Sequence, residues 1–205
     1  MDPLLFYGYE ILSALVPFLI LFFPLVGYYR RQGNGIAKTS SALILLFVVY
    51  VTGVYHFTGA GTLYEGLRYH LDTGHNLIPF SHVIDPVGYS LNVLLFVPLG
   101  LLVPMIWERL SRFPRILGIG AAFSLFIELT QLLNIRATDI DDLIMNTAGA
   151  VIGFGIYRLF DRVTGSRSHQ KGVPLSLLFV AVLTPYLGRF FLHNDMGLAK
   201  LLYGF

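Results

Sequence analysis

The sequence predicts an all-α protein: a polytopic transmembrane helix bundle of about six spans. Three observations predict it. Charged residues are 13% of the chain, against about 25% in soluble domains, and the mean hydropathy is +0.69. Six apolar segments recur, each about 18–24 residues, the length an α-helix needs to cross about 30 Å of hydrocarbon. Basic residues gather after alternate segments, as they do in the cytoplasmic loops of membrane proteins.

The six segments lie at roughly 6–29, 40–57, 88–107, 115–134, 142–160 and 173–192, with boundaries good to about three residues. The first has no positive region before it, and Arg30 and Arg31 follow it, so it reads as a retained span rather than a signal peptide. Pro17 and Pro24 in span one and Pro98 and Pro104 in span three are expected to kink their helices. The 58–87 loop is too long for a simple connector. Within it, Leu63, Leu67 and Leu71 recur every four residues, which predicts a short interfacial helix. The chain reads as a single domain over 1–205.

Ten of the fourteen Lys and Arg residues follow spans one, three and five: Arg30, Arg31, Lys38, Arg109, Arg112, Arg115, Arg158, Arg162, Arg167 and Lys171. The positive-inside rule puts them in the cytoplasm of a multi-pass cell-membrane protein. Both termini, the 58–87 loop and the 135–141 loop then face outward. The net charge of +2, with no basic tract, excludes nucleic acid as a partner. With no cysteine, thiolate metal sites and cysteine nucleophiles are excluded as well.

Between Ile127 and Gly153 the chain carries Glu128, Gln131, Arg136, Asp139, Asp141, Asp142 and Asn146, with apolar runs on both sides. An ionisable group at the centre of a span costs about 2.5–3.5 kcal/mol on insertion scales. By helical rise, Asn92 and Asn146 lie roughly 6 Å deep and Glu128 roughly 9 Å deep, on the same side. Glu128 and Gln131 share a face, as do Asp142 and Asn146. That face of span five continues through Gly149 and Gly153, small residues that let another helix approach. Packing there is expected to close an outward polar pocket, which Glu10 and Arg189 could join. The competing reading is structural: intramembrane amides tie helices together at about 0.6 kcal/mol each, and Asp139 or Asp141 serves as an N-cap for span five.

The matching order of His75-Asn76-Leu77-Ile78-Pro79-Phe80, then Asn92 to Gly100, then Ile127-Glu128-Leu129-Thr130-Gln131, then Arg136 with Asp139 to Gly149 resembles the VanZ-like family of bacterial integral membrane proteins. The resemblance covers about 75–160. It departs at Thr138, where an aromatic residue is usual. It implies a membrane protein of a family associated with low-level teicoplanin (glycopeptide) resistance, and it names no reaction. The positions carried over are Asn76, Pro79, Asn92, Pro98, Glu128, Gln131, Arg136, Asp139, Asp142 and Asn146.

The function expected from these readings is binding. Asn76, Asn92, Glu128, Gln131, Arg136, Asp139, Asp142 and Asn146 would line a pocket for a membrane lipid or a lipid-linked cell-envelope precursor. Arg136 would pair with a phosphate or carboxylate. The alternative is a membrane-embedded enzyme acting on an envelope lipid or precursor. Its candidate catalytic residues are Glu128 as general acid or base and Asp139 or Asp142 as partner acid or metal ligand. A small transporter with Glu128 as proton carrier is a third reading, without an internal repeat to support it. No nucleophile or cofactor motif stands out, which favours binding. No metal is expected: His70, Asp72 and His75 match no zinc spacing. Asp139, Asp141, Asp142 and Asn146 offer hard oxygens but lack EF-hand spacing.

Overall fold

The computed structural model describes residues 3–33, 36–68, 75–81, 85–134, 138–164 and 172–193. The six apolar segments become six helices: α1 (Pro3–Arg31), α2 (Lys38–Thr58), α4 (Pro86–Ile106), α5 (Phe113–Gln131), α6 (Ile140–Thr164) and α7 (Ser176–Leu192). Five of them are long and apolar enough to cross a membrane, and α7 is a shorter apolar helix. Pro17, Pro24, Pro98 and Pro104 all lie inside continuous helices.

Local chemistry sets the helix ends. Asp85 caps α4 by accepting the Val87 N–H at 3.1 Å, and Pro86 follows at the first turn, where a missing N–H costs nothing. Gly59 ends α2 in the left-handed conformation, with φ 64°. Its N–H returns to the His56 carbonyl, and that of Ala60 to the Tyr55 carbonyl, the pair of bonds that closes a helix C-terminus. The short helix expected in the 58–87 loop is α3 (Leu63–Arg68). Thr62 and Glu65 form its capping box: Thr62 Oγ1 accepts the Glu65 N–H at 3.2 Å, and Glu65 Oε2 accepts the Thr62 N–H at 2.8 Å. Leu63 and Leu67 are both exposed. Leu71 lies outside the described residues.

Helix α6 packs most intimately on α4. A Cβ on Gly149 would stand 2.1 Å from the Val93 carbonyl oxygen, and one on Gly153 would stand 2.0 Å from that of Val97. Side chains are impossible there, so the two backbones touch. In a bilayer the apolar surface of a helix is already solvated by lipid, and such close contact is a main source of helix association. Helices α1 and α7 meet in the same way, with Gly188 against the Ser13 carbonyl. Pro17 supplies no N–H to that carbonyl, and Gly188 packs on the backbone so exposed. Between these pairs lies a core that includes Phe18, Phe47, Phe96, Trp107 and Ile127. Trp107 is buried at the end of α4 and donates its indole N–H to the Pro174 carbonyl at 3.0 Å, tying α4 to the approach to α7.

Two short strands complete the described residues. β1 (His75–Asn76) pairs in parallel with β2 (Thr138–Asp139), placing His75 opposite Thr138 and Asn76 opposite Asp139.

Candidate functional site

Where α2 and α5 end and α4 and α6 begin, the bundle opens into a cavity of about 510 Å³. Leu91, Leu94, Leu95 and Ile127 give it an apolar wall. Asn92, Glu128, Gln131, Asp142 and Asn146 give it a polar one. These five come from α4, α5 and α6, and are the residues that similar depth and shared helix faces bring together in the sequence.

Each polar side chain is held by a specific bond. Asn92 Nδ2 donates to Asp142 Oδ1 at 2.6 Å, across the α4–α6 contact made by the glycines. Asn146 Nδ2 donates to Ser124 Oγ at 3.0 Å, joining α6 to α5. Gln131 Nε2 donates to the Thr58 carbonyl at 2.7 Å. Glu128 Oε2 accepts the backbone N–H of Asp139 at 3.1 Å. Glu128, Gln131 and Asn146 are all nearly inaccessible, at 3%, 4% and 2% exposed. Gln131 Oε1 and Asn146 Oδ1 have no hydrogen-bond partner among the described residues. A buried acceptor in that condition costs about 1–3 kcal/mol.

Two of the sequence-predicted members sit beside the cavity and do not line it. Asn76 Nδ2 donates to Asp139 Oδ1 at 3.1 Å, next to the strand pairing. The same Asp139 oxygen accepts the Asp141 N–H at 2.9 Å, which makes Asp139 the N-cap of α6. Of the three candidate catalytic acids, Asp139 is therefore engaged in capping, while Glu128 and Asp142 line the cavity. Arg136, with His70 and Asp72 of the discounted zinc spacing, lies outside the described residues.

Asp141 contributes in a way the sequence does not suggest. Its carboxylate accepts the Phe80 N–H at 2.8 Å and the Tyr89 hydroxyl at 2.5 Å. It thereby latches the 75–81 segment and the start of α4 onto α6. Phe80 sits at φ 56°, a left-handed conformation that is unfavourable for a bulky side chain and needs outside support. The Asp141 bond and the edge-on contact of its ring with Tyr89, centroids 6.3 Å apart, give that support.

The carbonyls at and just beyond the C-terminus of α2 form a further layer. A helix end leaves carbonyls unsatisfied, and hydrocarbon offers them no water. Here Thr58 O accepts from Gln131, and Gly59 O from Asn134 Nδ2 at 2.6 Å. Ala60 O accepts from Arg189, and Gly61 O from the Tyr186 hydroxyl at 3.3 Å. Four consecutive carbonyls are thus met by side chains from α5, α7 and the turn after α5. Asn134 ends an apolar run, which is the signal that could have marked it.

Glu10 and Arg189 do not join the cavity. Arg189 Nε donates to Glu10 Oε1 at 2.9 Å, and Glu10 Oε2 pairs with His56 Nδ1 at 2.7 Å. Glu10 and His56 instead line a separate, largely apolar groove of about 400 Å³ between α1 and α2. The position of Glu10 and Arg189 near the expected outer ends of spans one and six makes them candidates by depth. Arg189 turns to Glu10 and the Ala60 carbonyl, and Glu10 to His56, which depth alone does not reveal.

The VanZ/LLP1 family model matches residues 41–161, which takes in most of α2 and reaches further upstream than the segment of motif resemblance. Protein VanZ of Enterococcus faecium is 28% identical over 145 residues, covering 70% of this chain and 86% of that protein. No solved structure matches. The model match spans more than half of the chain and contains every described residue of the polar cavity wall, so the chain belongs to the VanZ/LLP1 family.

Proposed function

We propose that this protein binds a lipid, or a lipid-linked component of the cell envelope, in the cavity between α2, α4, α5 and α6. One observation carries the reading: a single cavity joins an apolar wall to a polar one built from three helices. Its volume, about 510 Å³, falls within the roughly 300–1,000 Å³ of small-molecule sites. Phe57, Leu91 and Leu94 belong to its lining and are exposed on the side of the bundle. An acyl or isoprenoid chain can lie against them while its head reaches Glu128. A buried carboxyl is an expensive way to pack helices, and ligand contact explains its presence here.

The basic residues gather at the opposite end of the bundle, which supports an outward-facing cavity in the cell membrane, with both termini outside. Altered susceptibility to teicoplanin is the phenotype that family membership makes worth measuring.

Extraction of the protein in a membrane-solubilising polymer, followed by lipid analysis, tests the reading. Leu94→Trp fills the cavity from an exposed position without touching the polar wall. The wild type should retain a lipid that this variant loses. Identical lipid content in the two, at equal folding, overturns the proposal.

A further inference from the structure

We propose that the cavity selects a primary ammonium head, an –NH3+ group carried on an apolar chain. The inference rests on the reading of the cavity as a ligand site and adds the chemistry of what enters it.

The argument is an inventory of hydrogen-bonding atoms. A side-chain amide offers both donors and an acceptor. In all three amides of the cavity the NH2 end is turned to the protein. Gln131 Nε2 donates to the Thr58 carbonyl, and Asn92 Nδ2 to the Asp142 carboxylate. Both partners are acceptors, which fixes the nitrogen end of each amide. Asn146 Nδ2 donates to Ser124 Oγ.

What remains for a ligand is oxygen. Gln131 Oε1 and Asn146 Oδ1 are buried and have no partner among the described residues. Glu128 accepts one bond, the Asp139 N–H on Oε2. Unmatched acceptors and a carboxylate ask for hydrogen-bond donors and positive charge.

Few chemical classes meet that demand. A phosphate or carboxylate head would set acceptors against acceptors and negative charge against Glu128. A hydroxyl brings lone pairs together with its single donor hydrogen. A quaternary ammonium has the charge but no N–H. A primary ammonium has three donors and no acceptor. A hard metal ion takes about six to eight oxygens, usually several of them carboxylate, and no group of three or more acidic or histidine side chains suited to a metal occurs among the described residues. The apolar wall at Leu91, Leu94, Leu95 and Ile127 fits the rest of an amphiphile.

The test uses the full chain in an uncharged detergent, titrated with dodecylamine, dodecyltrimethylammonium and dodecyl phosphate, with binding read by calorimetry. Charge-assisted hydrogen bonds should make dodecylamine bind about tenfold or more tighter than either of the others. Glu128→Gln and Leu91→Trp should each remove that preference, and Leu91 is exposed enough for the second to fold normally. Equal binding of dodecyltrimethylammonium overturns the donor argument, because charge alone would then suffice. Tighter binding of dodecyl phosphate that Leu91→Trp abolishes also overturns it, while leaving the cavity as a lipid site. If Leu91→Trp changes the binding of none of the three, the cavity reading fails as well.

Discussion

Asp139 donates its backbone N–H to the Glu128 carboxylate at 3.1 Å, so the acid buried in α5 also fixes the turn from which α6 begins. Asp139 in turn caps α6 and accepts from Asn76. One chain of bonds therefore runs from the paired strands to the cavity wall, and a change at Glu128 has a structural effect as well as a chemical one.

This relationship separates two substitutions at Glu128. Glu128→Gln keeps an oxygen for the Asp139 N–H and should fold and insert normally. Glu128→Leu leaves that buried N–H without a partner and should cost about 1–3 kcal/mol. Unfolding in detergent measures both. A ligand-handling role then appears in Glu128→Gln as lost binding without lost stability. Equal melting of the glutamine and leucine variants would show that the bond contributes nothing to the fold.

The α4–α6 contact gives a second prediction. Gly149→Ala and Gly153→Ala place a methyl about 2 Å from a backbone oxygen of α4, and backbone cannot move aside as a side-chain tip can. Overpacking of this kind costs about 1–3 kcal/mol and more when the backbone must shift. Gly155 is the internal control, since nothing lies within 4 Å of its added Cβ. Gly155→Ala should melt at or above the wild-type temperature. Unchanged melting of Gly149→Ala and Gly153→Ala would mean that the two helices are not in backbone contact.

The Glu10–Arg189 pair gives a third. Both side chains are nearly inaccessible, and Arg189 also bonds the Ala60 carbonyl. Arg189→Met leaves the Glu10 carboxyl with His56 alone and the Ala60 carbonyl without its donor, and should destabilise by about 3–5 kcal/mol, the range for breaking a buried ion pair. Glu10→Leu combined with Arg189→Met removes both charges and should recover part of that loss. A double-mutant cycle in detergent checks this, and additive effects would show that the two residues do not interact.

Orientation gives a fourth. The chain has no cysteine, so single cysteines report cleanly. Ser81→Cys lies at the cavity end of the bundle and Ser111→Cys just after α4 at the other end. An impermeant thiol reagent applied to whole cells should label the first and not the second. The reverse pattern puts the cavity on the cytoplasmic side.

Asn92, Glu128, Gln131, Asp142 and Asn146 were legible as a group because helical rise converts sequence position into depth, and i, i+3 and i, i+4 spacing into a shared face. Depth is one coordinate of three. It placed Glu10 and Arg189 at the right level but could not show that they meet each other and His56 beside a different groove. Asn76 and Asp139 are 63 positions apart, and their contact depends on a parallel strand pairing that no local pattern announces.

The sequence by itself determined the number of helices, nearly all their ends, and the small-residue face of α6. Each of these follows from local chemistry: the length of an apolar run, a capping side chain, a repeat of glycine every four residues. Only the tertiary structure decided which helices are neighbours. Lipid solvates every apolar face equally well, so neighbours are chosen by the fit of backbone against backbone at Gly149, Gly153 and Gly188 and by side chains that reach otherwise unsatisfied carbonyls, as Gln131 reaches Thr58 and Asn134 reaches Gly59. Both depend on the three-dimensional meeting of distant segments. That meeting also turned the amide nitrogens of Gln131 and Asn146 toward the Thr58 carbonyl and the Ser124 hydroxyl, leaving their oxygens without partners among the described residues.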